Sequence, residues 1–303
     1  MPRREPTTAG REPTTPGREY TTRVTVVRAE DAPGPTLVVR ADQLPRGALA
    51  SAGELAHLRH ALARTVHSGL HKIALYDPAS LRYRFVQVLP DGRFDFRAGC
   101  GHSLLACVVA DGRQGPVTVR AVTTGDTVLC EPYAKNTYTL SFLRPPTAPG
   151  TLPTGRPVDV LDGVPVSFVR YGNPYVFVDE RDLPGPGLQD RLLALRARAA
   201  RVLGHPPHSA LPKIAAFRDG PDGLAVRALT VGGWHPRLAL TGAAALAAAG
   251  AIDGTVVPAV RGPVRTPTGT VTVSTAPDRV RVHHKRAEVL ETLELPWRIH
   301  ATA

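Results

Sequence analysis

Cys100 is the residue of this chain best placed to do chemistry. It stands in Gly99-Cys100-Gly101-His102-Ser103, where an extended stretch gives way to an apolar run. The first amides of a helix have no intrahelical acceptor, so a residue at such a junction sits among free N–H donors. Donors of that kind bind a carboxylate and favour a thiolate over a thiol. A thiolate held there can remove a proton from carbon or return one. A cysteine can equally be a small buried hydrophobe. That reading fits Cys107, inside the apolar run, and Cys130, at a strand end. The flanking glycines set Cys100 apart, because they let a ligand approach the backbone closely.

Lys72 is the second candidate. It opens the apolar strand Lys72-Ile73-Ala74 and lies 28 residues before Cys100. A lysine at the edge of a core is costly while charged, and desolvation lowers its pKa until it becomes a competent base. A strand-end lysine can also carry its ammonium out to water. The spacing recurs: Lys213-Ile214-Ala215 is followed after the same 28 residues by Thr241-Gly242. Each copy then closes its helix near Asp-Gly, at Asp111-Gly112 and at Asp253-Gly254. One α/β unit is used twice, and only one copy carries a thiol. A threonine can offer a hydroxyl to a carboxylate but cannot exchange a proton with carbon. The asymmetry therefore favours one thiol working with a different second group over two opposed thiols.

Binding residues are expected around that pair. His102 can orient a carboxylate or cap the helix, Gly101 brings backbone amides close, and Ser103 can donate to an anion. His235, in Gly232-Gly233-Trp234-His235-Pro236, falls in the matching loop of the second half, ahead of Thr241 and Gly242. Gly172-Asn173-Pro174 reads as a ligand loop, and Lys213 matches Lys72. No nucleotide loop of the GxGxxG or GxxxxGK[ST] type occurs, and His283-His284 lack partners at metal spacing. Neither a cofactor nor a metal is expected.

The elements that position these residues follow from pattern. Strands are predicted at 23–29, 36–40, 71–76, 82–88, 117–122, 127–131 and 137–143. Ser51 with Glu54 makes a capping box for a helix over 52–67, stopped by Gly69, with leucines 55, 58 and 62 on one face. The second half repeats the grammar, with strands at 164–169, 175–178, 213–217, 224–229, 256–260, 271–274 and 280–284 before a charged closing segment. Helices are predicted at 103–110, 188–203 and 240–249. The first 22 residues repeat Arg-Glu-Pro-Thr-Thr and cannot bury a core, so they read as a disordered tail. The Pro/Gly-rich stretch 145–157 marks a crossover between an N-terminal lobe, 23–150, and a C-terminal lobe, 151–303.

Composition narrows the function. The net charge is +11 over 303 residues, but the arginines are scattered and aromatics make up 5%. Nucleic acid is therefore not an expected partner, whereas small anions are. No apolar run is long enough to span a bilayer. An odd count of 3 cysteines and no recognisable signal peptide point to a reducing, cytoplasmic setting.

The motifs Lys72-Ile73-Ala74, Cys100-Gly101-His102, Gly172-Asn173-Pro174-Tyr175-Val176-Phe177-Val178, Pro212-Lys213-Ile214-Ala215 and Leu240-Thr241-Gly242 together resemble the PrpF-type (methylaconitate and 4-oxalomesaconate) isomerases. These lie within the diaminopimelate epimerase-like superfamily. The resemblance runs over about residues 24 to 295. It implies an α/β fold of two pseudo-symmetric lobes, each a mixed sheet wrapped around a central helix, with a cleft between them. It also implies a cofactor-independent isomerase, with Lys72 and Cys100 matching the family's catalytic lysine and cysteine, and it allows a homodimer. His102 replaces the family's asparagine. The family's anion-binding Arg-Gly-Gly-Thr-Ser-Lys-Gly segment falls on Glu30-Asp31-Ala32-Pro33-Gly34-Pro35-Thr36, which carries acids and prolines. The expected reaction is a 1,3-allylic proton shift on an unsaturated carboxylate with fewer carboxylates than the family's substrates, in a specialised biosynthetic pathway. Its rivals are epimerisation at a single carbon and a non-catalytic binding homologue. The Gly101-His102 pair is also similar to the Gly-His motif of the phenazine-biosynthesis relatives.

Overall fold

The computed structural model describes residues 20–45, 47–206, 209–230 and 233–297. In chain order the first part carries β1 (Tyr20–Ala29), β2 (Thr36–Arg40), α1 (Ala48–Leu62), β3 (Lys72–Asp77), β4 (Arg82–Val88) and the short β5 (Phe94–Asp95). Next come α2 (Gly101–Asp111), β6 (Val117–Ala121), β7 (Thr127–Ala134) and β8 (Thr137–Phe142). The second part carries β9 (Asp159–Leu161), β10 (Val164–Tyr171), β11 (Asn173–Asp179), α3 (Leu188–Val202), β12 (Lys213–Arg218), β13 (Ala225–Thr230) and β14 (Gly233–Trp234). It continues with α4 (Leu240–Gly250), β15 (Val264–Thr266), β16 (Gly269–Val271), β17 (Val273–Ala276) and β18 (Arg279–Trp297).

Two mixed sheets result. The first runs β1-β2-β3-β4-β6-β7-β8-β18-β17, and β1 also pairs with β18, so its main strands close into a ring. The second runs β16-β15-β13-β12-β11-β10-β9. Period-2 alternation sorts each strand between two faces. On β3, Ala74 and Tyr76 face α2, while Ile73 and Leu75 face α1 with Leu55, Leu58 and Leu62. On β12, Ala215 and Phe217 face α4, while Ile214 and Ala216 face α3 with Leu192 and Leu195. Covering both faces explains why these strands read as continuous apolar runs. α2 is buried from Gly101 to Val108 and α4 from Leu240 to Ala249, as expected of helices that are apolar all round. Alanine at six of the seven positions from 243 to 249 keeps α4 thin enough to be enclosed. The cores around α2 and α4 merge into one cluster.

Five expectations are corrected. The lobe boundary at 151–303 does not hold at its far end: β17 and β18 hydrogen-bond into the first sheet, so residues 273–297 return to the N-terminal lobe. The charged closing segment is part of β18, whose residues 287–297 pair with β1. Glu288, Glu291 and Glu294 are exposed while Ala287 and Leu295 turn inward. Tyr20 to Thr22 belong to β1 and not to a tail, and residues 1–19 lie outside the described residues. The first helix starts four residues early, at Ala48 behind Gly47 (φ 97°), so Ser51 lies inside it and donates to the Pro45 carbonyl instead of capping. No strand forms at 256–260, where the Val256 amide donates to the Ser167 hydroxyl instead of a neighbouring strand.

Candidate active site

Lys72 and Lys213 open the matching strands β3 and β12, on the parity that faces α2 and α4. Both line one small cleft between the lobes, of about 50 Å³, together with Cys100, Gly101, His102, Asn173, His235 and Thr241. Pro33, Phe85, Gln87, Tyr175, Thr230 and Leu240 complete much of its wall, and among the described residues no carboxylate lines it. α2 and α4 both begin here. Cys100 is the N-cap of α2 and Ala239 that of α4, and neither helix has a side-chain cap. Their first amides therefore offer the cleft unsatisfied donors.

Burial shapes the cations. Lys72 is 4% exposed, and its Nζ donates to the Gly34 carbonyl at 3.2 Å. Desolvation lowers its pKa, and the nearby Cys100 opposes that shift. Lys213 is brought down to about 8, first by desolvation and then by the Arg196 guanidinium. No ion pair or hydrogen bond holds its ammonium among the described residues. His235 is held at about 4 by burial and by Lys72 and Lys213, so it is neutral near pH 7. Its Nδ1 accepts from the Arg237 amide at 3.2 Å. His102, also lowered by burial, stacks on His235 with ring centroids 6.3 Å apart. The His102 Nε2 is buried without a hydrogen-bond partner among the described residues.

Three of the candidate residues lie behind the cleft wall. The Ser103 hydroxyl pairs with the Thr36 hydroxyl at 2.9 Å. Gly172, at φ 79°, turns β10 into β11, and a Cβ there would meet Thr241 at 3.0 Å. Gly242 lets α4 approach Tyr175, whose hydroxyl would lie 2.6 Å from an added Cβ. Gly232 lies outside the described residues.

Asn173 reaches the site as a brace between lobes. Its Oδ1 accepts from the Gly99 amide at 2.7 Å and its Nδ2 donates to the Gly99 carbonyl at 2.8 Å. The register suggested by spacing also shifts: Cys100 precedes α2, while Thr241 is the second residue of α4. No thiol lies on the α4 side. Sequence reading passed over Gln87 and Tyr175 as site residues. Tyr175 stood in the Asn-Pro-Tyr run as an inward-facing strand position, which was the available signal. Nothing local marked Gln87.

The Glu30–Thr36 turn does come to the site, with altered chemistry. Pro33 lines the cleft, and Gly34 holds Lys72. Asp31 is neutralised by Arg237 at 2.9 Å and Lys285 at 3.2 Å, and the Arg237 contact ties the turn to the loop before α4. Among the described residues, no helix is long and apolar enough to cross a membrane.

Compared by sequence, the chain matches no protein-family model and no curated protein. Compared by structure, it is similar to a methylitaconate-Δ-isomerase, with a TM-score of 0.63 at 19% identity over 91% of this chain and 95% of that one. A probable proline racemase from Agrobacterium radiobacter K84 follows at 0.58 and 15% identity, covering 93% and 95% of the two chains. A hydroxyproline epimerase from Agrobacterium vitis gives 0.55 at 18% identity, covering 91% and 92%. The expected architecture is therefore found: this is the diaminopimelate epimerase-like fold.

Proposed function

We propose that this chain is a cofactor-independent isomerase that moves a proton across an allylic system beside a carboxylate. The observation that carries the reading is the meeting of Lys72 and Cys100 in one cleft that no carboxylate lines among the described residues, at the uncapped start of α2. An unsaturated carboxylate fits there as an anion between two lysines and two helix N-termini. One residue of the pair removes a proton from the allylic carbon. The dienolate charge that develops is stabilised by first-turn amides of α2, with the unpartnered His102 Nε2 as a further hydrogen-bonding group. The other residue delivers a proton at the far carbon, which moves the double bond. Cationic walls and the neutralised Asp31 suit a small mono- or dicarboxylate. The described similarity to a methylitaconate isomerase is of fold, and its substrate is a natural first probe.

The test is deuterium incorporation, followed by NMR in deuterated buffer, for methylitaconate, itaconate and vinylacetate. Wild type should exchange the allylic protons of at least one and shift its double bond, and Cys100→Ser should lose this. Full exchange in Cys100→Ser would remove the thiol from the mechanism. Inversion of a stereocentre with no movement of the double bond would make the protein an epimerase instead. The absence of a thiol on the α4 side is what disfavours that outcome.

A further inference from the structure

We infer that Lys213 is the proton relay that resets Lys72 and Cys100 between turnovers, an inference that rests on the proton-transfer reading above. A two-residue transfer leaves the pair inverted. If Lys72 takes the substrate proton as a neutral amine and Cys100 gives one as a thiol, the cycle ends with an ammonium and a thiolate. Resetting the pair requires the net transfer of one proton from Lys72 to Cys100. No hydrogen bond joins those two residues in the structure, and the ammonium of Lys72 is turned to the Gly34 carbonyl. A direct return path is not wired.

Lys213 is placed to supply it. It lines the same cleft from the other lobe and interacts electrostatically with both Cys100 and Lys72. Of the four lysines, Lys285 is bound to Asp31 and Lys72 to Gly34, and Lys135 lies at the β7–β8 turn. Lys213 alone lines the cleft with its ammonium unengaged among the described residues. The groups around it are Arg196 from α3, Asp95 from β5 (itself paired with Arg97), Cys100, Lys72 and His235. Arg196 is fixed beside it, donating to the Pro212 carbonyl at 2.9 Å. A lysine desolvated next to another cation gives up its proton readily near neutral pH, and Lys213 is lowered to about 8.

The step balances without a co-reactant. The Lys213 ammonium protonates the Cys100 thiolate, so an N–H bond breaks and an S–H bond forms. The neutral Lys213 amine then takes the proton held by Lys72. In the reverse reaction both transfers run backward.

Two measurements test this. With only four lysines, reductive methylation with ¹³C-formaldehyde gives a spectrum in which each dimethyl-lysine can be titrated in the full chain. One resonance should titrate near pH 8, vanish in Lys213→Arg, and move in Cys100→Ser. Lys213 titrating in the ordinary lysine range near pH 10 would overturn the relay whatever the substrate. On whichever probe wild type turns over fastest, Lys213→Met and Lys213→Arg should both lower kcat at least tenfold, Lys213→Arg with KM changed less than twofold because it keeps the positive charge. Ethylamine should restore part of the kcat of Lys213→Met. If Lys213→Arg is fully active and Lys213→Met mainly raises KM, the residue is a carboxylate anchor and the relay is wrong. If wild type exchanges none of the probes, the proton-transfer reading fails and takes the relay with it, an outcome distinct from the other two.

Discussion

Removing the Asn173 carboxamide tests how Cys100 is held. The side chain is buried and makes both of its short bonds to one residue, Gly99, which lies 74 positions away and directly precedes Cys100. Each such bond contributes about 1 kcal/mol net, and a buried partner left unmade adds about 1–3 kcal/mol. Gly99 is only half-buried, so water can recover part of that penalty in Asn173→Ala. The expected loss is about 2–3 kcal/mol. For a chain of this length it corresponds to a fall in Tm of roughly 4–6 °C, at about 2 °C per kcal/mol. Urea denaturation should show the loss in the midpoint with little change in slope. Freed of its brace, the Gly99–Cys100 junction should also place the thiol less well, and displacements of about 1 Å can cost ~100-fold in rate. Asn173→Asp sharpens the test. At neutral pH its carboxylate still accepts from the Gly99 amide but faces the Gly99 carbonyl. Once protonated it can donate there, so its deficit relative to wild type should narrow as pH falls. An Asn173→Ala protein within about 0.5 kcal/mol of wild type, with unchanged alkylation of Cys100 by iodoacetamide, would refute the bracing argument.

Other perturbations follow from the same contacts. A methyl at Gly101 would lie 2.5 Å from Leu240 Cδ2 and 2.9 Å from Leu240 Cβ. Gly101→Ala should therefore cost about 1–3 kcal/mol by overpacking α2 against α4. Leu240→Ala should return part of that in a double-mutant cycle, and strict additivity would disprove the clash. His235 supplies a pH dependence. Its folded pKa of about 4 lies below the ordinary histidine value. The unfolded chain therefore binds a proton that the folded one refuses as pH drops from about 6.5 to about 4. Stability present above that window is lost within it, by about 3 kcal/mol at 1.36 kcal/mol per pH unit. Any destabilisation in His235→Asn at pH 7 should shrink by about that amount at pH 4. A constant difference between the two proteins across the window would mean that His235 titrates normally.

Much of the placement of the candidate site's residues is legible in the chain because its signals are local. Lys72 and Lys213 open strands whose inward parity is set by period-2 alternation, and Cys100 sits at a break between strand and helix, so types and spacing were enough to pair them. The enclosed helices were also legible, since a segment apolar on every side has to be buried. What could not be read were the roles that depend on partners distant in sequence. Asn173 looked like part of a ligand loop, but its partner is Gly99 in the other lobe. Gly172 and Gly242 looked like binding glycines, yet they make room for Thr241 and Tyr175. Asp31 looked like a lost anion clamp, and only the fold brings Arg237 and Lys285 onto it.

Residue types and their spacing along the chain set the two-fold repeat, the inward parity of Lys72 and Lys213, the single thiol at a helix start, and the absence of a matching thiol in the second copy. Tertiary structure alone decided that β18 leaves the second half to close the first sheet, and that Asn173 braces Gly99 across the lobes. It also decided that Lys213 faces the Lys72–Cys100 cleft with no hydrogen-bond or ion-pair partner among the described residues. The physical reason is range. Periodicity, caps and turn residues act over a few positions, whereas strand pairing, desolvation and charge coupling depend on what the folded chain brings alongside.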